Sequence, residues 1–374
     1  MFGLDVGDSL FRYEEGNIHT GSLQRVIETA ANDGGETVRF KSVIAQEDPN
    51  ETLGTVGERL NKADVTVSEY SDFIRISLDR VIEREDIEDG QRTVSGSFAM
   101  FPDEETEIWT AVTGPDADFY ERGMKWLLKQ AEPRISSMYA TSRDLRWTIG
   151  RLEESLPPEI GIVAKKTVAY SRTEEGNISY ESRPFREAFE VAAAENRLVD
   201  KITFEVTRED DTLLTAFLSR DGQSKFLGGQ SDHYFSTLLP TYASFAQEKT
   251  DVLKDKERSR NTGDVHPIEL TFENDIFTRT EDNVKLIDSL EDLSDSNVTV
   301  YHQNPYAHLS VLDLIDGSSC DVFVTDSDEV MLVPSYKGSL NSLMRIAEKL
   351  SREIDEASIG EQQQNGPEFG AFFA

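Results

Sequence analysis

Apolar and polar residues alternate in one short stretch after another: TVRFKSVIA (37–45), DVTVSEYSDFIRISL (64–78), TVSGSFAMF (93–101) and TEIWTAV (106–112). A period of two puts Val, Ile and Phe on one face of a pleated strand and polar residues on the other, which is the pattern of a half-buried sheet. The period then changes. In FYERGMKWLLKQA (119–131), Tyr120, Met124, Leu127 and Leu128 fall at helical spacing. A second helix is expected over SRDLRWTIGRLEESL (142–156), opened by Ser142 as N-cap and stopped by Pro157-Pro158. Strands followed by a closing helix occur three times, near 37–131, 161–258 and 266–354, with no residue-level repeat. Strict strand–helix alternation is absent, which argues against a doubly wound parallel sheet. The expected fold class is α+β, largely antiparallel sheets with closing helices, in two or three modules.

The polar stretch DKERSRNTGDVH (255–266) is the best linker in the chain. The expected division is an N-terminal α+β module (1–133), a central module (134–258), a C-terminal α+β module (266–356) and a flexible tail (357–374). A long helix is expected from about 232 to 258, started or kinked by Pro240, whose nitrogen carries no hydrogen to donate.

Charge is the other constraint. Lys and Arg number 38 against 71 Asp and Glu, a net charge of −33, with 24 Arg and 14 Lys among the cations. Hydrophobic residues at 37% still suffice for a packed core. Excess carboxylate with scarce lysine resembles halophilic archaeal proteins, whose surface carboxylates keep water and cations close. At low salt the same charges repel one another. The single cysteine, Cys320, excludes internal disulfides and cysteine-based metal clusters. No stretch approaches the ~18 apolar residues of a membrane span, and MFGLDVGDSLFRYEEG lacks a basic start followed by an apolar core. A cytoplasmic protein without membrane contact is expected.

Two stretches invite chemistry. GLDVGDS (3–9) resembles the first phosphate loop of actin-like ATPases, which would set Asp5 near a metal and Gly7 near phosphate; a second glycine-rich phosphate loop is missing. YHQNPYAHLSVLDLIDGSSCD (301–321) gathers His302, His308, Asp313, Asp316 and Cys320. Its His308 and Asp316 resemble the His and Asp of the phospholipase D-like superfamily, which implies a phosphodiester hydrolase or nuclease with His308 as nucleophile. Ser310 stands where that family has Lys, so the resemblance implies a degenerate site without its phosphate-binding cation. His302 and His308, six residues apart, do not share a helix face as zinc ligands at i and i+4 would. No metal or cofactor is expected, and the weak catalytic candidates are His302, His308 and Asp316.

Residues 122–172 carry a charge of +5 while the remainder carries −38. Arg143, Arg146 and Arg151 lie on the second helix beside Trp147, and Lys165 and Lys166 on the strand that follows. These are the candidate nucleic-acid contacts, with Trp126 or Trp147 for base stacking; the competing expectation is internal pairing with carboxylates. The chain ends QQQNGPEFGAFFA (362–374), with Phe369, Phe372 and Phe373 at i, i+3 and i+4. That spacing resembles the clamp-interacting peptide (PIP box) of replication and repair proteins, with Gly366 where the family has Gln and Phe369 in its aliphatic place. The resemblance implies docking to a sliding clamp, or more generally to a protein with a hydrophobic pocket. Together these features point to a non-enzymatic accessory or adaptor protein of DNA replication or repair.

Overall fold

Among the described residues the alternating stretches form two antiparallel sheets, one of twelve strands and one of six, closed by helices: an α+β fold. The computed structural model describes residues 24, 27, 28, 31, 32, 37–70, 72–83, 90–171, 176–209, 211–254, 266–335 and 337–361. The chain divides into two compact units, Met1–Gln247 and Glu248–Ala374, and each sheet belongs to one of them. Among the described residues no helix is long and apolar enough to cross a membrane.

The larger unit begins with β1 (Val38–Ala45), α1 (Pro49–Arg59), β2 (Ala63–Glu69), β3 (Ile74–Glu83), β4 (Gln91–Pro102) and β5 (Ile108–Thr113). The single stretch read over 64–78 is thus a hairpin, bent at Tyr70–Phe73 where the two rings stack 4.6 Å apart. Helix α1 escaped the periodicity, but its start is conventional: Asp48 caps it by accepting from the Asn50 N–H, and Pro49 fills the first turn. Next comes α2, built from Ala117–Phe119, a π-helical turn at Tyr120–Met124, and Lys125–Gln130; β6 (Ile135–Ser137) follows. Val43, Ile76, Phe98 and Met100 of this part bury against Leu53 of α1 and Met124 and Leu127 of α2.

The unit continues with α3 (Ser142–Ser155), β7 (Ile160–Ser171), β8 (Asn177–Tyr180), β9 (Arg183–Pro184), α4 (Phe185–Ala194), β10 (Arg197–Arg208), β11 (Asp211–Ser219) and β12 (Gln223–Gly229). Thr141, not Ser142, caps α3. Its hydroxyl accepts from Asp144 N–H while the Asp144 carboxylate accepts from Thr141 N–H, a complete capping box. A π-helical turn (Tyr234–Leu238) leads into α5 (Leu239–Lys254). Helix runs unbroken from Asp232 through this turn, so Pro240 lies inside it, and the wider π-helical turn just before it makes room for a residue without an N–H.

The expected boundary at 133/134 does not divide the sheet. Strand order is β2-β3-β4-β5-β1-β12-β11-β10-β7-β8, and β1 pairs with β5 on one side and with β12 on the other. The turn between β11 and β12 makes this junction. Gly222 there has φ +77, and a Cβ would stand 2.9 Å from the carbonyl oxygens of Ser42 and Met138. Gly222→Ala is expected to cost about 1–3 kcal/mol from backbone strain alone, read as a lowered denaturation midpoint; an unchanged midpoint would show that the turn relaxes freely.

The smaller unit runs β13 (Ile268–Phe272), α6 (Thr280–Glu291), β14 (Ser296–His302), β15 (His308–Asp313), β16 (Ser319–Asp326), β17 (Glu329–Pro334), α7 (Leu340–Glu353) and β18 (Ala357–Glu361). Its order, β14-β15-β16-β17-β13-β18, repeats that of β2-β3-β4-β5-β1 with β6 added to β1. The three similar stretches of the sequence therefore resolve into two like modules and a central one of different connectivity, in which β7 pairs with β10. The tail does not begin at 357, because Ala357–Glu361 pairs along β13.

Candidate nucleic-acid interface

The helices of the central module lie on one side of the larger sheet. Tyr234 packs 5.1 Å from Phe40 and 5.5 Å from Phe226, and its hydroxyl donates to Ser224 Oγ at 2.8 Å. Helix α3 packs on that same π-helical turn. Helix α4 is tied to α3 by ion pairs, Arg146–Glu190 at 3.6 Å and Arg186–Glu153 at 2.6 Å. Residues of β12, β11, β10 and β7 that point the other way stay accessible: Lys225, Phe217 and Thr203 are half-buried and Lys166 is exposed.

Register places these side chains in one row. Arg39 of β1 stands opposite Lys225, Lys225 opposite Phe217, Phe217 opposite Thr203, and Thr203 opposite Lys166. Directly paired residues share a face, so the row crosses five strands, about 19 Å at ordinary strand spacing. Lys201, two residues from Thr203 on β10, joins the same face. The Lys225 ammonium lies 4.6 Å from the Phe217 ring centroid, a cation–π contact.

Its electrostatics are unusual for a chain of −33. Among the described residues Arg39, Lys225 and Lys166 have no carboxylate ion-pair partner; Lys165 pairs with Glu205 at 3.1 Å and Lys201 with Asp200 at 3.4 Å. The Arg39 guanidinium instead donates to the carbonyls of Pro115, at 2.5 Å, and Thr37. Burial, first, and then the like charges of Arg39 and Lys201 hold the Lys225 ammonium below the ordinary lysine range, with Glu121 and Asp221 opposing. Cations kept together at this cost are relieved by an incoming anion.

Of the residues singled out in the sequence, Lys165 and Lys166 belong to this face. Arg143, Arg146 and Arg151 do not: they lie on the outer surface of α3, on the helix-covered side of the sheet. Arg146 pairs with Glu190 and Arg151 with Glu154, so internal pairing takes up part of the +5 segment. Trp147 is 51% exposed beside them, whereas Trp126 lies under the Arg80 guanidinium, 3.8 Å from its ring. Arg39, Lys201 and Lys225 were missed because each is isolated in sequence. Only the strand register gathers them.

The His/Asp cluster comes apart. His302 and His308 face each other across β14 and β15, and His308 stacks on Phe323 at 4.1 Å with Tyr301 4.8 Å away. Burial holds the His308 imidazole below its usual range. Asp316 lies beyond the far end of β15, past about 16 Å of strand, where it accepts from the Ser318 N–H at 2.8 Å and shapes a turn. A His308–Asp316 dyad therefore does not form. Asp313 is buried and ion-paired to Arg345, and burial pushes the Cys320 thiol far up, away from thiolate chemistry. Among the described residues no three His, Cys, Asp or Glu side chains group as a metal site. Asp5, Gly7, Phe369, Phe372 and Phe373 lie outside the described residues. No family model matches the chain, and neither does any curated protein.

Proposed function

We propose that the protein is a non-enzymatic accessory or adaptor protein that holds nucleic acid on the accessible β12–β7 part of its larger sheet, on the side away from α3 and α4. The observation that carries this reading is the row of Arg39, Lys225 and Lys166, cations without carboxylate partners among the described residues of a strongly acidic chain. Phosphate contacts of this kind supply sequence-independent affinity. The aromatic tail supplies the second half of the proposal: Phe369, Phe372 and Phe373, spaced as in a clamp-interacting peptide, dock a partner such as a sliding clamp and place the protein in DNA replication or repair. The separation of His308 from Asp316 favours binding over phosphodiester cleavage.

The test compares two sets of substitutions in the full chain. Lys166→Ser with Lys225→Met is expected to weaken binding of fluorescently labelled DNA roughly tenfold and to flatten the log–log salt slope by about 1.4, two single-strand phosphate contacts' worth. Arg143→Ser with Arg146→Ser and Arg151→Ser is expected to leave both nearly unchanged. The opposite ranking would move the interface to α3. Absence of binding by the unaltered protein to single-stranded and duplex nucleic acid alike would overturn the reading.

A further inference from the structure

We infer that the ligand is single-stranded nucleic acid, laid across the strands of the larger sheet with a base on Phe217 and phosphates at Lys225 and Lys166. This rests on the nucleic-acid reading above and narrows it. The row reads cation, aromatic ring, hydroxyl, cation: Lys225, Phe217, Thr203, Lys166, each on the next strand. Basic groups interleaved with an aromatic ring suit single strands, because every base has a π-face to stack while the backbone follows the charge. From Lys225 to Lys166 the row spans about 14 Å at ordinary strand spacing, short enough to lie within the shorter single-strand sites of ~4 nucleotides.

Reading a duplex requires an element that projects into a groove, usually a helix or a two-stranded ribbon. Here α3, α4 and the π-helical turn at Tyr234–Leu238 lie on the opposite side of the sheet; α2 flanks the row at its Arg39 end, packed on β1 and β4, and the cations from Lys225 to Lys166 stand on a pleated surface. The carboxylate of Glu205, two residues from Thr203 on the same face, borders the row. Glu121 and Asp221 act on Lys225 at the other end of the row, so the lane between these carboxylates is narrow and suits one phosphate backbone rather than the two of a duplex. Lys225 also has a place to go. Its ammonium covers the Phe217 ring at 4.6 Å in the free protein, under repulsion from Arg39. A phosphate draws it off, relieves the repulsion and bares the ring in one movement.

The experiment measures anisotropy of labelled oligodeoxythymidylate, oligouridylate and a blunt DNA duplex, each roughly 20 nucleotides long. At least one single strand is expected to bind ten times or more tightly than the duplex, and the preferred one identifies the sugar. Phe217→Leu keeps apolar bulk in the sheet but removes the π-face. It should lower single-strand affinity roughly 5- to 100-fold with the melting midpoint little changed, and Phe217→Tyr should restore binding. If Phe217→Leu lowers the midpoint instead, Phe217→Trp gives the second readout: its emission is expected to be quenched on adding the single strand. Equal or tighter duplex binding, with Phe217→Leu or the Trp emission unaffected, sinks the single-strand inference and leaves the nucleic-acid reading standing. No binding of any of the three oligomers sinks that reading itself.

Discussion

Arg220→Met is expected to destabilise the larger unit by about 2–4 kcal/mol, because it removes the guanidinium donor from the buried Ala140 carbonyl and breaks the bond to the half-buried Tyr170 hydroxyl. Arg220 is 2% exposed. Its Nε donates to the Ala140 carbonyl at 3.1 Å, and its Nη1 donates to the Tyr170 hydroxyl. The Ala140 N–H returns a bond to the Arg220 carbonyl at 2.6 Å, so the turn after β11 and the segment before α3 grip each other in both directions. Neighbouring groups fasten the same turn: Lys41 donates to the Asp221 carbonyl, the Ser42 N–H to Gly222 at 2.9 Å, and the Tyr242 hydroxyl to the Ser219 carbonyl. This cluster therefore holds β1 against β12, and with it the register that sets Arg39 beside Lys225. Methionine keeps most of the volume and so isolates the polar loss from a cavity. Chemical denaturation at high salt measures it, and a loss below ~1 kcal/mol would mean that water or rearranged side chains satisfy the carbonyl and hydroxyl. On the proposed nucleic-acid reading, affinity falls with the same variant even under conditions where it stays folded, since Lys225 loses its fixed place.

What the sequence showed clearly was whatever local periodicity writes. The alternation of TVRFKSVIA and TVSGSFAMF and the helical spacing of Leu145, Ile149 and Leu152 match β1, β4 and α3 closely. Joining of the first two modules was invisible, because β1 and β12 meet through backbone hydrogen bonds between segments far apart in the chain, and such bonds leave no mark on side-chain choice. Strand β12 was itself obscured. It ends in Gly228-Gly229, residues that blunt a strand signal, and Gly229 holds φ +99 with the Leu213 carbonyl too close to admit a Cβ. Charge misled in two ways. Ten cations within 122–172 looked like one surface, but a helix and the following strand present theirs to opposite sides of a sheet. His308 and Asp316 looked like one site, but an extended strand carries neighbours in sequence far apart in space.

Raising potassium chloride from ~0.1 M to ~2 M is expected to lift the thermal midpoint by at least ~10 °C, roughly 3–5 kcal/mol for units of this size, as screening shortens from about 10 Å to under 3 Å. The net charge of −33 supplies the repulsion, and the strand register shows where some of it is concentrated. Asp64 and Asp79 stand directly opposite each other on β2 and β3, both exposed, and Asp326 faces Glu329 across β16 and β17. Like charges in such cross-strand positions destabilise a sheet. Surface ion pairs do not offset them: Lys62–Glu83, with both side chains about two-thirds exposed, belongs to a class worth at most about 1 kcal/mol each. Glu269 shows the same pressure, its carboxyl raised above the usual range by burial first and then by Glu329. Reversing one member of a facing pair separates this cause from a general salt effect. Asp79→Lys should stabilise the protein by about 0.5–1 kcal/mol at ~0.1 M, where the new pair attracts across the strands, and by much less at ~2 M. Equal midpoints at the two salt concentrations would show that the carboxylates are already neutralised by tightly held cations. A gain from Asp79→Lys that persists undiminished at high salt would point to packing by the lysine stem rather than charge.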